Sequence, residues 1–185
     1  MQKTEYQKML AGESYDASDK ELMHMRVSAR AVIHVYNQTP FDKQHREMML
    51  QRLLGKMGSN IDIQTPFFCD YGTHIEVGDN FFANFNCVFL DCNYIRIGNN
   101  AFLGPNVQIY TASHDAVAAE RVKGLEHALP VTIGNNVWIG GGTIICAGII
   151  IGDNTTIGAG SVVVKDIPAN VVAAGNPCRL IRTLE

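Results

Sequence analysis

Residues 133–166 read IGNNVW, IGGGTI, ICAGII, IGDNTT, IGAGSV and VVKD, a stretch that falls into sixes. The first place of each six is Ile133, Ile139, Ile145, Ile151, Ile157 and Val163; the second is Gly134, Gly140, Cys146, Gly152, Gly158 and Val164. A helix repeats its apolar face every 3.6 residues and an ordinary half-buried strand every two, and neither carries a sixfold beat. A six-residue period instead marks a parallel β-helix, in which a single coil cannot bury its apolar face and stacked neighbours make one core. The aliphatic residue of each six turns inward, and the glycine after it lets the chain bend and pack closely. Three sixes close a coil of about 18 residues, and successive coils stack at about 4.8 Å.

Upstream the same turn recurs as Val77-Gly78-Asp79-Asn80 and Ile97-Gly98-Asn99-Asn100. Asn and Asp tolerate the left-handed backbone that sharp corners need. Residues 77, 83, 89 and 95 share one register while 97, 103 and 109 share another, so a coil is adjusted near Ile95. The beat fails at about Thr111 and resumes at Pro130, leaving a polar loop over 111–129. Long loops in compact scaffolds usually carry function. This loop opens with Ser113-His114-Asp115 and closes with Glu126-His127. His114 is a candidate general base on a rigid support, and Glu126 either fixes its tautomer or contacts a substrate hydroxyl.

Residues 1–57 differ in kind from 58–185, the predicted β-helix with its loop and tail. Thr4 to Ala11 reads as a short helix stopped at Gly12. Ser18-Asp19-Lys20-Glu21 reads as a capping box with Ser18 at the N-cap. The helix it opens carries Leu22, Met25, Ala29, Val32, Ile33 and Tyr36 on one face and ends at Asn37. Thr39-Pro40 reads as the start of another helix, with Met48, Met49, Leu50, Leu53 and Leu54 inward and Gly55 as its stop. Such a segment suits either a cap for the open end of a solenoid or a lid over an acceptor.

Composition narrows the function classes. A net charge of −3 over 185 residues gives no electrostatic case for nucleic acid. No apolar run of membrane-spanning length occurs, and the first residues lack the features of a secretory signal, so a cytoplasmic protein is expected. Five cysteines without a CxxC read as structural thiols, with Cys69 and Cys87 placed to stack 18 residues apart. The histidines do not show the spacing of a zinc site, so no metal is expected. Lys165, Arg179 and Arg182 gather cations at the end of a slightly acidic chain, either as a solvated tail or as a site for an anionic group such as a nucleotide phosphate.

Taken together, GDNFFANFN from Gly78, TASHD, PVTIGNNVWIGG and TIGAGSVVVKDIPANVVAAGNPCRLIR resemble the hexapeptide-repeat sugar O-acetyltransferases. The likeness is nearest to the maltose type, with the galactoside type next, and KMLAGESYDASDKEL extends it through the N-terminal segment. It implies a left-handed parallel β-helix assembled as a homotrimer with sites between subunits, acetyl-CoA as co-substrate and a sugar as acceptor. By the same resemblance His114 is the catalytic base, and Asn84 contacts the acceptor and acetyl group. Asp16, Arg26, Asp70 and Phe82 would line the sugar site, and Gly141, Ala159, Val164, Lys165, Arg179 and Arg182 the coenzyme A groove. Cys92 stands where the galactoside enzymes carry Asp, and Glu126 where they carry an apolar residue. Both choices agree with the maltose type. An acyltransferase for another hydroxyl and a non-enzymatic β-helix are the alternatives.

Overall fold

The computed structural model describes residues 3–39 and 41–185. Beyond the helical front end, the chain winds as a three-sided prism of parallel strands. Face 1 stacks Lys56–Met57, Ile75–Val77, Ile95–Ile97, Val131–Ile133 and Ile150–Ile151. Face 2 stacks Asp62–Ile63, Phe82–Ala83, Phe102–Leu103, Trp138–Ile139, Thr156–Ile157 and Val171–Ala174. Face 3 stacks Phe67–Cys69, Cys87–Leu90, Gln108–Tyr110, Ile144–Ile145 and Val162–Val163. A last strand, Arg179–Thr183, folds back antiparallel on Val171–Ala174.

The hexad register is the packing register. Val77, Ile97, Ile133 and Ile151 lie opposite one another on face 1. Ile63, Ala83, Leu103, Ile139, Ile157 and Ala173 do so on face 2. All ten side chains are buried in one continuous cluster. Where glycine follows the aliphatic residue, the coils come too close for a side chain: a Cβ on Gly140 would lie 2.4 Å from the backbone nitrogen of Ala159. The corners between faces 1 and 2 carry Asn60, Asn80, Asn100, Asn136, Asn154 and Asn170, each with φ of 55–60°. Their carboxamides form a ladder, each Nδ2 donating to the next Oδ1 at 2.8–2.9 Å. The left-handed turn and the ladder thus use the same residue.

Coil length is not uniform. Glu76 pairs with Arg96, 20 residues on, whereas Thr132 pairs with Ile150, 18 on. Two residues are added at 70–74 and again at 91–94, so the adjustment near Ile95 is the second of two. Both additions, and the long loop, leave the prism at the edge between faces 3 and 1. The 20-residue coil also corrects the expected stacking of Cys69 on Cys87: Cys69 lies opposite Phe89, and Cys87 opposite Phe67. All five cysteines are free thiols.

Three helices precede the prism. The first, α1 (Glu5–Leu10), has Thr4 in a capping box with Gln7 and ends before Gly12 at φ 73°. Next comes α2 (Lys20–Asn37), capped by Asp19 rather than Ser18, because the Asp19 carboxylate accepts from Glu21 N and Leu22 N. Ser18 instead donates to Asp16. The third, α3 (Lys43–Leu53), starts at an Asp42 cap, three residues later than Thr39-Pro40 suggested; Pro40 itself lies outside the described residues. Leu50, Leu53 and Leu54 face inward as expected, but Met48 is exposed. Arg46, in the first turn of α3, is buried and lies 3.3 Å from Asp62 of the first coil. Ala29, Ile33, Tyr36, Leu50, Leu53 and Leu54 join the solenoid's own cluster, so the helices close the open first coil. Among the described residues no helix is long and apolar enough to cross a membrane.

Candidate active site

The loop is not irregular. Ala112–His114 and Glu126–Ala128 form an antiparallel ribbon joined across a short helix, Ala118–Arg121, and the register sets His114 opposite Glu126. Directly opposed residues project on the same side of a ribbon. The Nδ1 of His114 lies 3.4 Å from the carbonyl oxygen of Leu125, an acceptor. That carbonyl favours the tautomer with a proton on Nδ1 and leaves Nε2 to accept one. The tautomer partner is therefore a backbone oxygen, not the Glu126 carboxylate. Glu126 Oε2 accepts from the Tyr15 hydroxyl at 2.8 Å.

Below the ribbon, the two expanded corners hold a buried polar set. The Asp91 carboxylate, wholly buried, accepts from Asp70 N at 2.9 Å and Tyr71 N at 2.8 Å. Burial pushes Asp91 up to about 7 against the pull of those donors. Its backbone oxygen faces His74 Nδ1 at 2.7 Å, and His74 Nε2 meets the Tyr6 hydroxyl at 3.2 Å. Asn93 donates to Met9, Leu10 and Ala128 carbonyls, tying α1 to the ribbon. On this base Asp70 is raised by burial and partly held down by Arg30, 3.7 Å away. The Cys92 thiol donates to Asp70 Oδ2 at 3.7 Å, and burial pushes that thiol up, so it stays protonated. Arg26 donates to the Tyr71 hydroxyl and to Ala17 O, each at 2.6 Å. Asp16, exposed beside it, is lowered by hydrogen bonds from Ser18.

One edge therefore gathers His114, Glu126, Asp70 and Cys92, with Arg26 and Asp16 on the segment packed over it. Phe82 and Asn84 are elsewhere. They line a depression of about 490 Å³ on face 2 with Phe102, Leu103, Gly104 and Trp138. The Asn84 Oδ1 accepts from Phe85 N at 2.8 Å, which leaves its NH₂ as the end free for a ligand. Gly141 and Ala159 stack on that same corner between faces 2 and 3. Face 3 separates the two groups: after Asn84 the chain turns a corner at Asn86 (φ 62°) and crosses the whole of Cys87–Leu90 before it reaches Asp91. Within a single chain the acceptor-side and corner residues do not meet.

Beyond the last full coil, Lys165 and Arg179 line one depression of about 250 Å³ with Asp166 and Cys178. Val164 is half exposed next to them, while Arg182 lies on the final strand opposite Val172. Among the described residues no three His, Cys, Asp or Glu side chains come together to hold a metal ion. Sequence reasoning missed Tyr15, Tyr71, His74, Asp91 and Asn93. For the last four, the two extra residues per early coil were the signal, since a regular hexad has no room for a polar corner; Tyr15 lies outside the coils and had none.

A parallel solenoid of hexads with a helical cap, a histidine ribbon on one edge and cations at its end defines the hexapeptide-repeat acetyltransferases, and the chain belongs to that family. Residues 8–58 match the maltose acetyltransferase hexapeptide capping motif, and 130–165 the bacterial transferase hexapeptide of six repeats. A maltose O-acetyltransferase from Clostridium difficile 630 superposes with a TM-score of 0.97 at 52% identity, over 99% of this chain and 98% of that one. The hexapeptide-repeat acetyltransferase of Vibrio cholerae in complex with acetyl-CoA gives 0.93 at 36% identity, over 99% and 100%. The galactoside O-acetyltransferase of Escherichia coli is 38% identical over 96% of this chain and 88% of its own length.

Proposed function

We propose that this protein transfers the acetyl group of acetyl-CoA to a hydroxyl of a sugar of the maltose or glucose type, with His114 as general base. The observation that carries the reading is the His114 pairing: Nδ1 toward Leu125 O and Nε2 without a partner among the described residues, on a ribbon above two carboxylates. Nε2 takes the proton of the acceptor hydroxyl as its oxygen bonds to the thioester carbonyl carbon. The tetrahedral adduct then expels the thiolate, and the imidazolium returns the proton to sulfur. A donor such as the Asn84 NH₂ would steady the oxyanion. Asp16, Arg26, Asp70, Phe82, Cys92 and Glu126 serve the acceptor. Gly141, Ala159, Val164, Lys165, Arg179 and Arg182 serve the coenzyme.

The separation of Asn84 from His114 within one chain supports a site completed by a second copy, in a homotrimer. The outer faces support the same assembly. Face 1 presents Lys56, Glu76 and Arg96 in register, whereas face 2 presents Phe82, Phe102 and Trp138. Phe102 and Trp138 are half exposed, an apolar stripe that suits a partner of the same kind. Sedimentation at three times the chain mass is expected, and a monomer at assay concentration would sink the shared site.

The deciding experiment is thiol release from acetyl-CoA with glucose, maltose and a galactoside, comparing the parent with His114→Ala. Sugar-dependent release reduced about 10²–10⁴-fold in the variant is the expected result. Release at the parent's rate would remove His114 from the mechanism.

A further inference from the structure

Tyr15 belongs to no coil, yet it is 1% exposed. Its backbone N–H and carbonyl each bond Glu126, both at 3.0 Å, so it acts as a third strand on the ribbon that carries His114. Its hydroxyl donates to Glu126 Oε2 at 2.8 Å, the only hydrogen bond of that carboxylate among the described residues. Burial pushes the phenol far up, so it remains a donor at any working pH. Next to it the Cys92 thiol donates to Asp70 Oδ2. Two buried donors from different segments thus each hold one oxygen of one carboxylate, beside the exposed imidazole.

We propose that Tyr15 is a positioning residue for acceptor recognition: its hydroxyl fixes the Glu126 carboxylate opposite His114, leaving Oε1 to accept from a second hydroxyl of the acceptor, adjacent to the one acetylated. The substrate class that follows is a vicinal diol of a sugar ring rather than an isolated alcohol. A freely rotating Glu126 would have to be ordered on each binding event, and Tyr15 removes that cost beforehand. The inference rests on the sugar acetylation proposed above.

The test uses the full chain and four proteins: the parent, Tyr15→Phe, Glu126→Gln and the double variant. Acceptors are methyl glucoside and its mono-deoxy analogues. In the parent, removal of the hydroxyl next to the acetylated position should raise acceptor KM about tenfold, the effect of losing one charge-assisted hydrogen bond. In Tyr15→Phe the acceptor KM should rise about tenfold and discrimination against that analogue fall below twofold. Its KM for acetyl-CoA and its melting temperature should stay near the parent's. The double variant should be no worse than Glu126→Gln, because both changes break one unit. A Tyr15→Phe enzyme with the parent's acceptor KM and deoxy-sugar discrimination would overturn the proposal. So would a variant that melts early and loses both substrates equally, since that is a structural role alone. A parent that acetylates no sugar overturns the function beneath it, and that outcome is visible before any variant is made.

Discussion

Asn100 sits in the middle of the corner ladder, and replacing it separates two contributions that its side chain combines. Its φ is 55°, a left-handed value that costs an ordinary L-residue about 1 kcal/mol or more. Its Oδ1 accepts from Asn80 and its Nδ2 donates to Asn136, both at 2.9 Å. The corner is exposed, so water replaces part of what is lost and each bond contributes about 0.5 kcal/mol, the low end of the usual range. Asn100→Ala should therefore destabilise by about 2 kcal/mol, which lowers the melting temperature by about 4–8 °C in a chain of this size. Asn100→Gly keeps the backbone conformation and loses only the bonds, so it should cost about half as much. Asn170 provides the control. It has φ of 60° but only accepts, from Asn154, so Asn170→Ala should cost less than Asn100→Ala by one bond. Urea and thermal melts at one fixed protein concentration read all three, because assembly would otherwise shift the midpoints. Equal losses for Ala and Gly at position 100 would refute the backbone share. Three variants indistinguishable from the parent would show that the ladder is geometry without energy.

Replacing Lys165 and Arg179 together should raise the KM for acetyl-CoA at least tenfold and leave that for the sugar within about twofold, as loss of two charged phosphate contacts predicts; equal effects on both substrates would mean the two cations do not face the coenzyme. Asp91 makes a pH prediction. Its carboxyl ionises near 3.8 when unfolded and at about 7 when folded. Between those values the unfolded chain binds fewer protons than the folded one, so stability falls as pH rises from about 4 to about 7, by up to about 4 kcal/mol. Asp91→Asn keeps an Oδ1 for Asp70 N and Tyr71 N and should flatten that part of the curve. A parent and variant with parallel melting curves over this range would contradict it.

The hexads carried most of the fold in plain view, because Ile133 through Val163 must all point into one core and a period of six leaves no other way to do it. The corners between faces 1 and 2 were equally legible, since Asn after Gly-Asn or Gly-Asp marks a left-handed turn. Helix boundaries were harder. Asp19 outcompeted Ser18 because its carboxylate, one residue on, accepts orphan N–H groups more strongly, whereas the Thr39 hydroxyl donates back to the Val35 and Tyr36 carbonyls at the end of α2 and leaves Asp42 to cap the next helix. His114 and Glu126 were legible as a pair flanking a loop, but not the Leu125 carbonyl that faces the imidazole, because a backbone acceptor has no letter of its own. Tyr15 was hidden for a related reason. Its partner lies 111 residues away, and only the antiparallel ribbon brings them together.

Stacking also makes the solenoid a ruler. His114 and Lys165 leave the same edge of the prism from coils two steps apart, with one coil between them, roughly 10 Å at the spacing of parallel strands. No side chain sets that interval; it is counted out in whole turns of backbone. With Lys165 on the coenzyme as proposed above, that interval changes only by inserting or deleting a coil of 18 residues, in steps of one rung and nothing between.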